Sequence, residues 1–180
     1  MSSVLRLLRP DQWLKNFFIF APLIFSKHLF DEAYVFTAGE AFVVFALVSS
    51  TVYIFNDIAD RESDRLHPTK RNRPIAAGKI SIAQALGIAV VLLVIIGLLM
   101  TKLNAKFLFI ASVYFVLNIG YSFFLKQVIL VDVFIVAAGF MLRVLAGAFA
   151  INVHVSEWLV LCTLFVSLFL QTFFLPKGKK

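Results

Sequence analysis

Three aspartates at the end of a long apolar segment have the spacing of a metal-binding helix face. Asp57, Asp60 and Asp64 follow one another at intervals of three and four residues, so on a continuing helix they would lie on one face over about two turns. Like charges there repel, and near a membrane they also lose hydration, two costs that a divalent cation removes. Oxygen ligands without His or Cys favour Mg²⁺ or Mn²⁺ over Zn²⁺. The alternative is a solvated loop of mixed charge beside the membrane.

A basic segment follows these acids directly. Residues 67–79 include Lys70, Arg71 and Arg73, and guanidinium and ammonium groups bind phosphate oxygens well. Metal-binding acids beside phosphate-binding bases form the arrangement that a departing diphosphate requires. Taken alone, the same bases are typical of an ordinary cytoplasmic loop of a membrane protein.

The composition places these residues in a membrane protein. The chain has 180 residues, of which 61% are hydrophobic and only 15% charged, whereas a soluble domain carries about 25% charged residues. The net charge of +7 therefore indicates a membrane surface, and not nucleic acid, as the charged partner. We expect an all-α, integral membrane helical bundle that forms a single domain over residues 1–180.

Six apolar segments are long enough to cross a bilayer, which takes about 20 residues of helix. Pro22 lies in the first segment, which we therefore expect to be short, kinked or tilted. No small-residue cleavage site follows that segment, so we expect it to stay in the protein. The six segments are residues 13–30, 33–55, 82–100, 106–125, 128–151 and 156–175.

Basic residues are unequally divided between the two sides of this predicted bundle. If both termini lie on one side, that side holds thirteen of the seventeen Lys and Arg residues and the other side holds three. Arg143, inside the fifth segment, is the seventeenth. Because cytoplasmic loops are enriched in Lys and Arg, we expect a multi-pass protein of the cell (inner) membrane with both termini in the cytoplasm.

Arg143 is itself unusual, because an ionised side chain within a membrane costs at least ~2.5–3.5 kcal/mol on insertion scales. It needs an acidic partner, a phosphate or a water-filled cavity. Asp132 is eleven residues away in the same segment, about 16 Å along a helix, and cannot pair with it. We expect a buried structural ion pair, with Glu40 of the second segment as the candidate partner; a catalytic role is the alternative.

Two stretches of the sequence carry a family resemblance. The string Asn-Asp-x-x-Asp-x-x-x-Asp at residues 56–64 resembles the first aspartate-rich motif of the UbiA superfamily of intramembrane prenyltransferases, and residues 70–78 are similar to the segment that follows it in that family. Within the superfamily the chain most resembles the bacterial polyprenyl-phosphate phosphoribosyltransferases, the branch of the decaprenyl-phosphate enzyme. Residues 8–16, 67–71, 121–126 and 142–147 carry this second resemblance.

The resemblance implies a metal-dependent transferase with one soluble and one lipid substrate. The donor would be phosphoribosyl pyrophosphate and the acceptor a polyprenyl phosphate held in the membrane. Mg²⁺ or Mn²⁺ would neutralise the departing pyrophosphate. Asp57, Asp60 and Asp64 would be the metal ligands and the catalytic residues.

The resemblance also implies seven substrate-binding residues. Three bases of the loop would contact the donor phosphates, the asparagine before the first aspartate would orient a ligand, and three others would line the cytoplasmic mouth of the cavity. For Tyr121 and Lys126, anchoring at the membrane interface is the alternative. In that order, the seven residues are Lys70, Arg71, Arg73, Asn56, Lys15, Tyr121 and Lys126.

The chain departs from the family pattern after its sixth segment. UbiA-type enzymes have nine helices around one cavity, with a second acidic motif near the cytoplasmic end of the sixth. Here no second carboxylate cluster follows, and Glu157 lies at the opposite end of that segment. We therefore expect the chain to lack the C-terminal helices and half of the metal site. It would be an inactive truncated member, or it would complete its cavity by forming an oligomer.

Two further functions compete with this interpretation. An aromatic prenyltransferase of the same superfamily would share the metal-binding face but use a polyprenyl diphosphate as donor. A non-catalytic membrane protein, such as a small transporter or a binding partner, is the second. A transporter would show polar residues or Gly and Pro breaks at mid-membrane in paired helices. The polar residues gather instead at the cytoplasmic ends, which favours an enzyme.

Overall fold

The computed structural model describes residues 3–125 and 129–174, and over these residues the chain is all-α without a strand, as predicted. Two 3₁₀ segments, Pro10–Phe20 and Lys70–Asn72, and one π-helical turn, Tyr121–Leu125, lie between the α-helices. Numbered in chain order, the α-helices are α1 Ser3–Leu8, α2 Ala21–Phe25, α3 Glu32–Ala59, α4 Arg61–Leu66, α5 Ile82–Met100, α6 Ala105–Gly120, α7 Ile129–Ala150 and α8 Glu157–Phe174.

Several of these helices are long and apolar enough to cross a membrane. Within the described residues there are four, and they confirm the second to fifth predicted segments. Helix α8 is apolar as well, although its stretch Glu157–Phe169 is shorter. The four are Glu32–Ala59, Ile82–Met100, Ala105–Phe123 and Val133–Ala150.

The first predicted segment has a different local structure from the others. It is 3₁₀ helix over Pro10–Phe20, followed by the short α2, in which Pro22 occupies the first turn. A 3₁₀ helix rises about 2.0 Å per residue against 1.5 Å in an α-helix, so residues 10–25 extend for about 30 Å. That is close to the thickness of the hydrocarbon core. The expected short helix is present, but an extended 3₁₀ segment precedes it.

This N-terminal segment runs antiparallel to α3. Near its start, the indole Nε1 of Trp13 donates a hydrogen bond to Ser50 Oγ at 2.9 Å. Towards its end, Leu23 packs in a small apolar cluster with Ala38 of α3. Twelve residues of helix separate these two points on α3, about 18 Å. The segment therefore passes through the same depth of the bundle as the middle of the long helix.

Helix α3 is central to the core of the bundle. Its buried side chains, which include Phe45 and Ile54, pack in one cluster with residues of α5, α6 and α7. Capping fixes where the next helices begin: Ser81 and Gln84 form a reciprocal capping box at the start of α5. At the start of α6, the Asn104 side chain accepts from the Phe107 amide and donates to the Ala150 carbonyl at 3.2 Å. The start of α6 and the end of α7 therefore lie at the same end of the bundle.

Helix α7 approaches the N-terminal segment closely at a glycine. A Cβ atom built on Gly147 would overlap the main chain of Ile19, lying 2.8 Å from its carbonyl carbon. The obstacle is backbone and not a flexible side chain, so only glycine fits without moving the two elements apart.

Substituting this glycine tests how strongly the contact determines the fold. We expect Gly147→Ala to lower the free energy of unfolding by about 2 kcal/mol or more, because overpacking forces the N-terminal segment away from α7. Gly97→Ala is the matched control, since a Cβ there meets no atom within 4 Å. Unfolding midpoints of both variants in detergent give the comparison. Equal midpoints would contradict the close contact.

Candidate functional site

The three aspartates do not lie on one uninterrupted helix. Helix α3 ends at Ala59, Asp60 stands in the turn, and α4 begins with the next residue. Backbone bonds still bridge the turn, because the Asp60 amide donates to the Asn56 carbonyl and the Asp64 amide to the Asp60 carbonyl, at 2.9 and 2.8 Å. The single continuing helix on which the shared face depended is therefore interrupted at Asp60, where φ is −89° and ψ is 0°. Asp57 and Asp64 are buried, and Asp60 is half-buried.

Arg73 joins the first and third aspartates. Its Nη1 lies 2.6 Å from Asp64 Oδ2 and 3.3 Å from Asp57 Oδ1. The loop after α4 thus folds back over the end of α3 and delivers one guanidinium to two buried carboxylates. Such charges are costly to bury unless they are paired and hydrogen-bonded. These two ion pairs hold the loop against the end of α3 and against α4.

Arg9 contacts the acidic cluster, and the residue spacing did not single it out. Its Nη2 lies 2.5 Å from Asp57 Oδ1, and its guanidinium stacks 5.1 Å above the ring centre of Tyr53. Its backbone is left-handed, with φ 51° and ψ 60°, at the junction of α1 with the 3₁₀ segment. Arg9 and Asp57 are 48 positions apart in sequence. The one signal for Arg9 was its place in the segment that carries the family resemblance.

The other predicted bases are not part of this cluster. Lys70 and Arg71 are exposed in the short 3₁₀ turn, and neither makes an ion pair in the part of the chain that the structure describes. The turn is held by His67, whose Nδ1 accepts from the amides of Thr69 and Lys70, both at 3.3 Å. Of the three bases, only Arg73 reaches the aspartates.

Asn56 contacts another helix of the bundle. Its Oδ1 accepts a hydrogen bond from Ser122 Oγ, which links the end of α3 to the π-helical turn after α6. Tyr121 is half-buried in the same turn, beside Ser122. Lys15 is exposed in the N-terminal segment, and Lys126 lies outside the described residues. The structure thus brings Asn56 and Tyr121 to one end of the bundle with Asp57.

Arg143 is buried but does not pair with Glu40. Its Nε donates to Asn16 Oδ1 at 2.8 Å, its Nη1 to the Gly139 carbonyl at 2.7 Å and its Nη2 to the Tyr114 hydroxyl at 2.9 Å. Among the described residues no carboxylate lies within ion-pair distance of it. The expected ion pair is therefore wrong, because neutral acceptors and the faces of three aromatic rings surround the guanidinium.

The acidic cluster has the ligand chemistry of a hard divalent cation. Its donor atoms are carboxylate oxygens, and Asp57 Oδ2 is buried without a hydrogen-bond partner. In the described residues, however, no three acidic, His or Cys side chains are arranged around one point. Arg73 bridges the carboxylates of Asp57 and Asp64, and Arg9 pairs with Asp57. Asp57 and Asp64 are the buried residues whose carboxylate oxygens could hold a magnesium-type ion.

The Arg73 bridge makes a testable contribution to stability. We expect Arg73→Gln to cost about 2–4 kcal/mol, because it leaves two buried carboxylates short of a counter-charge. Arg71→Gln removes the same charge from an exposed side chain two residues earlier and should cost less than about 0.5 kcal/mol. Unfolding midpoints in detergent distinguish the two. Equal losses would show that the bridge adds nothing.

The Arg143 network makes a second prediction. Arg143→Lys keeps the charge but loses the forked geometry that reaches three acceptors, so we expect a loss of about 1–3 kcal/mol. The control is Arg61→Lys, at a residue whose contact with Glu62 is 3.4 Å long and solvent-exposed. If Arg143→Lys unfolds at the same midpoint as Arg61→Lys, the three acceptors contribute nothing to stability.

Comparisons of the sequence and of the fold with known proteins identify the family of this chain. Decaprenyl-phosphate phosphoribosyltransferases of Corynebacterium glutamicum and Mycobacterium tuberculosis are 40% and 38% identical to 95% and 94% of this chain, which covers 53% and 58% of their lengths. The structure of a UbiA homolog from Archaeoglobus fulgidus bound to DMAPP and Mg²⁺ superposes with a TM-score of 0.75 at 22% identity, over 94% of this chain and 62% of that one.

The chain thus spans about half the length of the curated relatives it matches. The UbiA prenyltransferase family matches residues 17–177. With four helices of membrane-spanning length in the described residues, this is a multi-pass membrane protein, and it belongs to the UbiA prenyltransferase family.

Proposed function

We propose that this chain carries the donor-binding half of a Mg²⁺-dependent transferase, which moves a phosphoribosyl group from phosphoribosyl pyrophosphate to a polyprenyl phosphate. The observation that carries the proposal is the buried cluster of Asp57, Asp64, Arg73 and Arg9 at the end of a membrane-spanning helix. Relatives named decaprenyl-phosphate phosphoribosyltransferase, at about 40% identity, support the choice of donor and acceptor.

The cluster offers both kinds of group that a diphosphate donor needs. Bound Mg²⁺ would neutralise charge on the leaving pyrophosphate. Asp57 and Asp64 would hold the ion, with Asp60 at the turn between them, and Arg9 and Arg73 would donate N–H groups to phosphate oxygens. The exposed Lys70 and Arg71 would receive the donor from the cytosol.

The transfer itself is a substitution at C1 of the ribose. The bond from C1 to the pyrophosphate oxygen breaks with its electron pair leaving on pyrophosphate, and a phosphate oxygen of the acceptor forms the new bond to C1. No oxidation occurs. In the complete site, apolar helices would exclude water, which would otherwise attack the developing cation at C1.

The charges deeper in the bundle suit an acceptor that carries a phosphate. Arg143 binds Asn16, which also accepts a hydrogen bond from Ser49 of α3. Ser49 lies eight residues before Asp57, about 12 Å further into the membrane. Lys15, beside Asn16, is an exposed cation at the same depth. Because Arg143 is buried and its three nitrogens already donate hydrogen bonds, Lys15 is the basic residue of this pair that an anionic headgroup could reach.

The membrane orientation is part of the same proposal. Arg9, Asp57 and Arg73 lie at one end of the bundle, and the sequence assigns that end to the side richer in Lys and Arg. We place this end, and both termini, on the cytoplasmic side of the inner membrane. There a soluble donor reaches the cluster while the lipid acceptor remains in the bilayer.

Equilibrium binding of labelled phosphoribosyl pyrophosphate to the purified chain tests the proposal. We expect binding with Mg²⁺ that EDTA abolishes and that a short prenyl diphosphate does not displace. Asp57→Asn should weaken it at least tenfold, because a ligand oxygen and its charge are lost. Glu62→Gln is the matched control: this neighbouring acid is 74% exposed and should leave binding unchanged.

The other outcomes each overturn part of the proposal. Preferential binding of the prenyl diphosphate would assign the chain to the aromatic prenyltransferases. Binding that is insensitive to both EDTA and Asp57→Asn would remove the acidic cluster from the donor site. If neither compound binds, the chain has no donor site of its own.

A further inference from the structure

We infer that Arg9 is an internal cation that occupies the acidic site, and that a divalent metal must displace it to bind Asp57. Resting on the proposed function, this inference assigns Arg9 two alternating partners, the Asp57 carboxylate and the donor diphosphate. Metal and diphosphate would then bind as a coupled pair, each weakly without the other.

The contacts of Asp57 show the competition directly. Its Oδ1 receives Arg9 at 2.5 Å and Arg73 at 3.3 Å, while its Oδ2 is buried and accepts no hydrogen bond. One oxygen of this carboxylate therefore contacts two guanidinium groups, and the other oxygen has no hydrogen-bond partner. A metal drawn to Asp57 Oδ2 would come close to two positive charges, and repulsion would oppose its binding until one of them leaves.

Charge balance explains why an anion relieves this repulsion. Asp57, Asp60 and Asp64 with Arg9 and Arg73 sum to a charge of −1 (−3 + 2). Adding a divalent ion alone would raise the sum to +1 in a largely buried site. A diphosphate reverses that excess and offers several oxygens to whichever guanidinium leaves Asp57.

Arg9, and not Arg73, is the arginine suited to leave. Arg73 is anchored at the cluster by its shorter contact with Asp64, at 2.6 Å, and its contact with Asp57 is the longer one, at 3.3 Å, so it obstructs Asp57 less than Arg9 does. Arg9 pairs with Asp57 alone in the described part of the chain. Its left-handed backbone is an uncommon conformation for a residue with a side chain, so the Asp57 contact helps to retain a strained position.

Linkage turns this geometry into a measurable quantity. If pyrophosphate takes Arg9 away from Asp57, it raises the affinity for metal, and metal must raise the affinity for pyrophosphate by the same factor. Arg9→Gln removes the guanidinium that couples the two ligands and leaves the carboxylates that would bind the metal. Without the competing cation, metal alone should bind more tightly, and pyrophosphate should add less.

The test measures Mn²⁺ binding to the detergent-purified chain by electron paramagnetic resonance, and pyrophosphate binding at fixed free Mn²⁺. We expect Arg9→Gln to tighten binding of Mn²⁺ alone about tenfold and to reduce the gain caused by pyrophosphate by a similar factor. Arg9→Lys, which keeps the charge, should move the Mn²⁺ affinity less than threefold. Arg6→Gln is the matched control, because it removes the same charge from an exposed position on α1 and should change neither affinity.

The outcomes separate this inference from the function on which it rests. Weaker or unchanged Mn²⁺ binding in Arg9→Gln, alongside normal metal-dependent pyrophosphate binding in the native chain, would overturn the role of Arg9 and leave the proposed function standing. If Mn²⁺ binds no variant even with pyrophosphate, both fail together. Should Arg9→Gln not fold, a native chain whose Mn²⁺ affinity is unchanged by pyrophosphate would overturn the coupling by itself.

Discussion

The buried charge of Asp57 is the constraint on which the arrangement of this molecule depends. An ionised carboxylate that is 1% exposed at the end of a membrane helix is stable only with counter-charges beside it. Those counter-charges come from Arg9, 48 positions before it, and Arg73, 16 positions after it. Satisfying one side chain therefore fixes the junction of α1 with the N-terminal segment and the fold of the polar loop.

The N-terminal segment is held from a second side by the other buried charge. Arg143 of α7 binds Asn16 in that segment, and four residues later Gly147 lets the backbone of Ile19 approach α7 without a side chain between them. The segment is thus fastened to α3 at Trp13 and to α7 at Asn16 and Ile19. Its 3₁₀ conformation lets few residues cover a long distance between those contacts.

The sequence predicted what depends on composition and local spacing, and it missed what depends on partners distant in the chain. The apolar segments and the carboxylates of Asp57 and Asp64 were identifiable because length, hydropathy and residue spacing are local properties. The turn at Asp60 was not, since tertiary packing decides whether a helix continues through a polar stretch. The sequence also did not reveal that Arg9 pairs with Asp57 or that Arg143 has neutral partners, because these contacts join residues far apart in the chain.

The turn at Asp60 also determines how the cluster is built. A single rigid helix would hold its carboxylates at fixed separations. Here Asp57 belongs to the buried α3 and Asp64 to the short α4, and Arg73 contacts both carboxylates. Asp57 and Asp64 thus lie on two successive helices, and the backbone hydrogen bonds across the turn keep those helices joined. Arg9 and Arg73, which offset the charge of the cluster, and the turn at Asp60, which separates two of its acids, therefore lie together at the edge of an apolar bundle.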